Sequence, residues 1–199
     1  MNCVTVNASG SYDILIGEGA LSSLTSGLSS LPRIQKMCIV SDSHVAPLWE
    51  EKLRTLLEDY EVSSFVISAG EESKSGPVYL ELLSFLAAHE LTRSDCLIAL
   101  GGGVVGDLTG FAAATYLRGI PFIQIPTSLL AMVDSSVGGK TAIDLPEGKN
   151  LAGAFYQPKL VLCDLTLLTT LPREIFLDGC AEIIKYAILY DPALFAHLE

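Results

Sequence analysis

The amino-acid sequence predicts an α/β fold: a mostly parallel sheet with flanking helices, followed by the beginning of an all-helical second domain. Three observations predict it. Short apolar runs at residues 36–40 (KMCIV), 64–68 (SFVIS), 96–100 (CLIAL), 121–126 (PFIQIP) and 160–164 (LVLCD) alternate with segments of helical pattern. That rhythm builds parallel sheets from strand–helix–strand units. One of these runs passes directly into three consecutive glycines and then a helix-forming stretch. From Pro172 onward the pattern is helical, with no further strand. Residues 1–170 therefore read as the α/β domain and residues 171–199 as the start of a helical one.

In chain order, residues 4–7 and 12–16 flank the turn ASGS and predict a hairpin. Residues 19–30 predict a helix that Pro32 ends. The run at 36–40 is a buried strand closing on Ser41, Asp42, Ser43 and His44. Residues 45–60 are helical, with Trp49, Leu53, Leu56 and Leu57 on one face. The strand at 64–68 leads into the polar turn AGEESKSG, and Pro77 suits the first turn of a helix running through Glu90. The strand at 96–100 then opens the glycine turn. After the strand at 121–126, residues 127–150 form a long, polar, glycine-bearing loop, a kind that is usually functional in a compact domain.

The glycine turn is the first candidate site. Gly101, Gly103 and Gly106 fit G-x-G-x-x-G, and a strand–turn–helix start directs backbone N–H groups and the helix dipole at one spot. That spot favours a phosphate or pyrophosphate in a Rossmann-like fold. The alternative is a tight turn whose backbone angles only glycine tolerates. A Rossmann fingerprint wants an acid about 20 residues on to hold the ribose, yet TYLRGIPFIQ contains none. Asp42, at the end of an earlier strand, suits that role; it equally suits an N-cap for the following helix. Glu71, Glu72 and Lys74 lie on the next turn at the same edge, as ligand groups or as a solvated cluster. Between Asp134 and Asn150, Lys140 and Lys149 stand among glycines and serines, a local anion site in an acidic chain or a solvated loop. Glu182 and Lys185 are one helical turn apart, a surface pair or a functional one. His44, His89 and His197 have no spacing that makes a metal site with Glu182.

Composition narrows the function. A net charge of −11 disfavours nucleic acid and anionic membranes as partners. Five scattered cysteines without a CxxC pair read as core residues of a reducing compartment. No apolar run reaches the ~20 residues of a membrane span, and the N-terminus has no signal-peptide pattern. A cytoplasmic location is expected.

The stretches GGGVVGDLTGFAAATYLRGIPFIQIPTSLLAMVDSSVGGKTAID, GKNLAGAFYQP, LPREIF and GCAEIIKYAIL, in this order, closely resemble the 3-dehydroquinate synthase family. The resemblance runs through essentially the whole chain. It implies an NAD-binding α/β domain followed by a helical metal domain, with catalysis in the cleft between them. Asp42 is then expected at the adenosine ribose. Ala69, Gly70, Glu71, Glu72, Ser73 and Lys74 are expected to line NAD, as are Gly103, Val104, Val105, Gly106 and Asp107. Thr127, Ser128, Lys140, Lys149, Leu167, Leu168, Thr169 and Thr170 complete that lining. Arg118, Asp134, Lys140, Asn150 and Lys185 are expected to approach a sugar-phosphate substrate. Glu182 is expected to be the first ligand of a zinc or cobalt ion. The implied reaction converts 3-deoxy-D-arabino-heptulosonate 7-phosphate to 3-dehydroquinate and phosphate, in a homodimeric full-length enzyme. The sequence departs from the family in two respects: Ala187 follows Tyr186 where glycine is common, and members are about twice as long. The chain is thus expected to be a fragment with an incomplete metal site and no activity of its own. A sugar-phosphate cyclase of secondary metabolism and a stand-alone nucleotide-binding module are the alternatives.

Overall fold

The computed structural model describes residues 1–29, 31 and 34–199. The chain opens with a hairpin of β1 (Asn2–Asn7) and β2 (Ser11–Gly17), in register from Asn2↔Ile16 to Asn7↔Ser11. A 3-10 turn at Ala20–Ser23 leads into the short α1 (Leu24–Leu28). The helix end expected at Ser30 and Pro32 lies outside the described residues. There follow β3 (Lys36–Asp42), α2 (Ala46–Leu56), β4 (Glu61–Ile67), α3 (Gly76–Ala88), β5 (Cys96–Gly101) and α4 (Gly103–Thr115). The rest comprises β6 (Phe122–Pro126), a hairpin of β7 (Lys140–Leu145) and β8 (Gly148–Phe155), β9 (Leu160–Asp164), α5 (Arg173–Tyr190) and α6 (Pro192–Leu198).

Seven strands form one sheet in the order β1-β2-β9-β6-β5-β3-β4, antiparallel only between β1 and β2. Side chains alternate along each strand and so feed two cores. Met37, Ile39, Ile98 and Leu100 face Leu24, Leu53 and Leu57. Cys38, Val40, Leu97 and Ala99 face Leu82, Leu86, Leu108 and Ala112. A sheet covered on both faces explains why its central strands are continuous apolar runs.

Two buried carboxylates fasten loops to the sheet. Asp164, at the end of β9, accepts bonds from the N–H groups of Gly19, Leu21 and Thr166 at 3.0 Å each and from the Thr166 hydroxyl at 2.7 Å. Burial pushes its carboxyl up, but those four donors outweigh burial and hold it below the ordinary value. Asp95 does the same before β5, taking the N–H groups of Gln35, Lys36 and Thr92 and the Thr92 hydroxyl, and is likewise lowered against its burial.

The structure corrects the long loop expected over residues 127–150. A π-helical turn at Ala131–Ser135 and the β7–β8 hairpin occupy it, and the hairpin runs on through Phe155. Its sequence, KTAIDLPEGKNLAGAF, is rich in small and polar residues and carries little strand signal. What makes it a hairpin is its support. Thr141, Ala142 and Ile143 are buried, and a Cβ at Gly110 of α4 would overlap the Thr141 methyl group. Smaller differences concern element ends: β4 starts at Glu61, and α3 stops at Ala88, with Glu90 at φ 56°. No helix among the described residues is long and apolar enough to cross a membrane.

Candidate functional site

β3 connects outward to β4 on one side, while β5 connects through α4 to β6 on the other. The crevice at such a reversal, beyond the carboxyl ends of the strands, is where open α/β sheets bind ligands. Asp42 ends β3, residues 68–74 follow β4, the glycine turn follows β5, Thr127 and Ser128 follow β6, and residues 165–170 follow β9. All these segments of the expected cofactor lining therefore reach the same edge.

At the glycine turn, Gly102 is the N-cap of α4 with extended backbone and contributes no side-chain cap. The N–H groups of the first helical turn are consequently open to an anion. None of Gly101, Gly102, Gly103 and Gly106 has a positive φ, so backbone angles do not explain them. Space does. A Cβ at Gly101 would lie 2.6 Å from Val105 Cγ2, one at Gly106 2.9 Å from Gln124 Oε1, and one at Gly103 3.1 Å from Ser135 Oγ. Gly70 differs: at φ 120° its turn does require glycine.

Asp42 uses Oδ1 to accept the N–H groups of His44 at 2.8 Å and Val45 at 3.0 Å. These bonds close the turn ahead of α2, whose N-cap is Val45 and which has no side-chain cap, so the capping alternative for Asp42 is not realised. Ser43 Oγ accepts the Ala69 N–H at 3.1 Å, joining this loop to the turn after β4. In that turn Ser73 and Lys74 are buried, whereas Glu71 and Glu72 are exposed. Lys74 Nζ bonds Asp107 Oδ2 at 3.2 Å and Asn150 Oδ1 at 2.8 Å. Burial draws the Lys74 ammonium down, but Asp107, Glu71 and Asp144 together raise it, so it stays charged. Burial raises the Asp107 carboxyl and prevails over the attraction of Lys74. The exposed Lys149 lies 3.4 Å from Glu71.

A cleft of about 550 Å³ opens between α4, the π turn and the hairpin, and Asp107, Asp134, Lys140 and Asn150 stand in its wall. Ser135, Leu151 and Phe155 also line it, and sequence reading passed over them. Phe155 is 82 % exposed, an aromatic ring at the rim. The π turn aims Asp134 and Ser135 from adjacent positions; such turns recur at functional sites.

α5 docks on this turn through Gly179, where a Cβ would meet Leu129 Cβ at 2.6 Å and Leu130 N at 2.7 Å. One helical face below, the Tyr186 hydroxyl donates to Asp134 Oδ1 at 3.0 Å. Tyr186 was not among the expected site residues; its place in the KY pair of GCAEIIKY was the available signal. Lys185 bonds Glu182 and sits 4.8 Å over the Tyr186 ring. The expected metal ligand is therefore occupied by a lysine, and no three potential metal-ligating side chains converge among the described residues. The donor set present here does not fit a metal ion.

Two expected residues sit elsewhere. Arg118 follows the end of α4, and thirteen helical residues carry it about 20 Å from the glycine turn, to the opposite edge of the sheet. It is exposed, at φ 66°, and forms no part of the cleft. Leu167 is sealed in the core, leaving Leu168, Thr169 and Thr170 nearer the surface; Thr170 accepts the Trp49 indole N–H at 3.1 Å.

Residues 64–178 match the family described as 3-dehydroquinate synthase N-terminal. The chain is 54 % identical over 191 residues to the 3-dehydroquinate synthase of Nitrosomonas europaea, covering 95 % of this chain and 52 % of that protein. It thus spans about half the length of the curated relatives it matches. Among solved structures, a 2-epi-5-epi-valiolone synthase from Streptomyces hygroscopicus with NAD+ and Zn2+ bound superposes at TM-score 0.86 and 33 % identity, over 97 % of this chain and 54 % of that one. A 2-deoxy-scyllo-inosose synthase complexed with carbaglucose-6-phosphate, NAD+ and Co2+ superposes at TM-score 0.85 and 29 % identity, over 92 % and 50 %.

Proposed function

The chain belongs to the 3-dehydroquinate synthase family, and from that premise we propose that it is the NAD-binding half of an enzyme converting 3-deoxy-D-arabino-heptulosonate 7-phosphate to 3-dehydroquinate and phosphate. The observation that carries this reading is the convergence of the uncapped α4 N-terminus, Asp42 and the 68–74 turn on one sheet edge, beside a cleft holding Lys140 and Asn150. The first-turn N–H groups of α4 bind the pyrophosphate, and the Asp42 carboxylate accepts from ribose hydroxyls while repelling a 2′-phosphate. Bound NAD+ supplies a hydride acceptor that the cycle regenerates. Lys140 balances substrate anionic charge, and Asn150 orients the sugar by hydrogen bonds. Identity to the synthase, 54 %, against 29–33 % to the two cyclases, favours the synthase over a secondary-metabolic cyclase. With a single carboxylate toward a metal, the 199-residue chain is expected to bind NAD+ without turning substrate over.

Calorimetry tests the reading. NAD+ should bind the chain, and NADP+ should bind more weakly. Gly102→Val suits the control: its Cβ meets only Ser128 Oγ at an ordinary 3.5 Å, whereas a side chain at Gly103 would also press on Ser135. The variant should fold and lose about tenfold or more in NAD+ affinity, the scale of one charge-assisted hydrogen bond. Undiminished binding would refute the assignment of the turn. Phosphate release by the wild-type chain alone would refute its inactivity.

A further inference from the structure

Lys74 stands where three segments distant in sequence meet: the turn after β4, the second turn of α4 and the β7–β8 hairpin. Its side chain is 6 % exposed, and Nζ lies 3.2 Å from Asp107, 3.3 Å from Glu71 and 3.9 Å from Asp144. The backbone joins the same junction, since the Lys74 carbonyl accepts the Asp144 N–H at 2.8 Å. Asp144 Oδ1 in turn accepts the Asn150 N–H at 2.7 Å, and Asn150 Oδ1 accepts from Lys74 Nζ at 2.8 Å. Asn150 is held at φ 57°, in the left-handed region that asparagine enters more readily than other side chains.

An ammonium has donors and no acceptor, so it admits only one orientation of a neighbouring carboxamide. With Lys74 on the oxygen and Asp144 on the backbone N–H, the NH2 group is what Asn150 retains for a ligand, and Asn150 lines the cleft. We propose that Lys74 is a positioning residue that fixes the carboxamide of Asn150, so that the cleft meets its ligand with an N–H donor and selects an oxygen acceptor such as the hydroxyl or anionic oxygen of a sugar phosphate. The choice of sugar phosphate rests on the proposed function; the role of Lys74 toward Asn150 does not. Because the same ammonium touches Glu71 and Asp107 on the nucleotide side, the two halves of the crevice share one fastening.

Ligand-free NMR of the chain separates these matters. In Lys74→Met, exchange of the Asn150 backbone N–H should accelerate about tenfold and its side-chain NH2 signals should move, for loss of a hydrogen bond to a charged group. Amides of β5 should stay protected, and Lys74→Arg should restore the Asn150 signals. Unmoved Asn150 signals in Lys74→Met would overturn the proposal. Should that variant not fold, Asn150→Ala, at an exposed position, replaces it: the Lys74 ammonium signal should shift, and an unshifted one is equally fatal. With NAD+ saturating, binding of 3-deoxy-D-arabino-heptulosonate 7-phosphate should fall alike in Lys74→Met and Asn150→Ala, and no further in the double variant. Additive losses would contradict positioning. A wild-type chain that fails to bind this sugar phosphate defeats the proposed function, while the exchange comparison still decides the role of Lys74.

Discussion

Single residues here act mostly through space and through donors. The glycines of the 101–106 turn were legible as a motif, yet the reason for them was not. They make room for Val105, Gln124 and Ser135, neighbours that only the fold assembles. Asp42 was legible because it ends an apolar run; that its Oδ1 would close the turn ahead of α2 instead of capping the helix was not. Asp164 gave no signal beyond its place at the end of a strand, since two of its donors, Gly19 and Leu21, lie 145 and 143 residues away. Asp164→Asn should destabilise the chain by about 3 kcal/mol, because an amide presents NH2 to donors that need an acceptor. Urea unfolding would measure it. The pH profile gives a second test. The Asp164 and Asp95 carboxyls are lowered from 3.8, so their stabilisation is complete above that value and disappears as pH falls through the lower folded values. Asp107 is raised, so its ionisation costs stability as pH rises from 3.8 through its folded value. In Asp164→Asn the loss of stability below pH 3.8 should be shallower than in the wild type; an unchanged slope would show that Asp164 does not carry it.

Elements were legible where periodicity was strong. The buried strands β3, β5, β6 and β9 and the helices between them follow from apolar pattern, whereas the β7–β8 hairpin does not. Its Thr141 packs against α4 at Gly110, where any side chain would clash. The same close packing places α5, whose Gly179 lies on the Leu129–Leu130 backbone. Gly179→Leu should lift α5 from the π turn, break the Tyr186–Asp134 bond and leave the seven-stranded sheet intact. Limited proteolysis would then cut within α5 far faster than in the wild type. Equal resistance would mean that α5 is fastened by other contacts.

For the molecule as a whole, strand order decides where the chemistry lies. Neither periodicity nor composition reveals that β3 and β5 are neighbours whose connections diverge, and the crevice depends on that reversal. The same topology places Arg118 after α4, outside the cleft of this chain.

The pairing of β2 with β9 also sets a schedule. Asp13 lies beside Leu160 and Gly17 beside Asp164, so the opening hairpin cannot join the sheet until the last strand has left the ribosome. At ~5–20 residues per second that delay is on the order of ten seconds. During it the backbone N–H and C=O groups along the β9-facing edges of β2 and β6 have no partner, which exposes the nascent chain to mispairing and to chaperones. In refolding, long-range pairing of this kind is slow. Pulse-labelled hydrogen exchange should accordingly find β3 and β5 protected first and β2 and β9 together last.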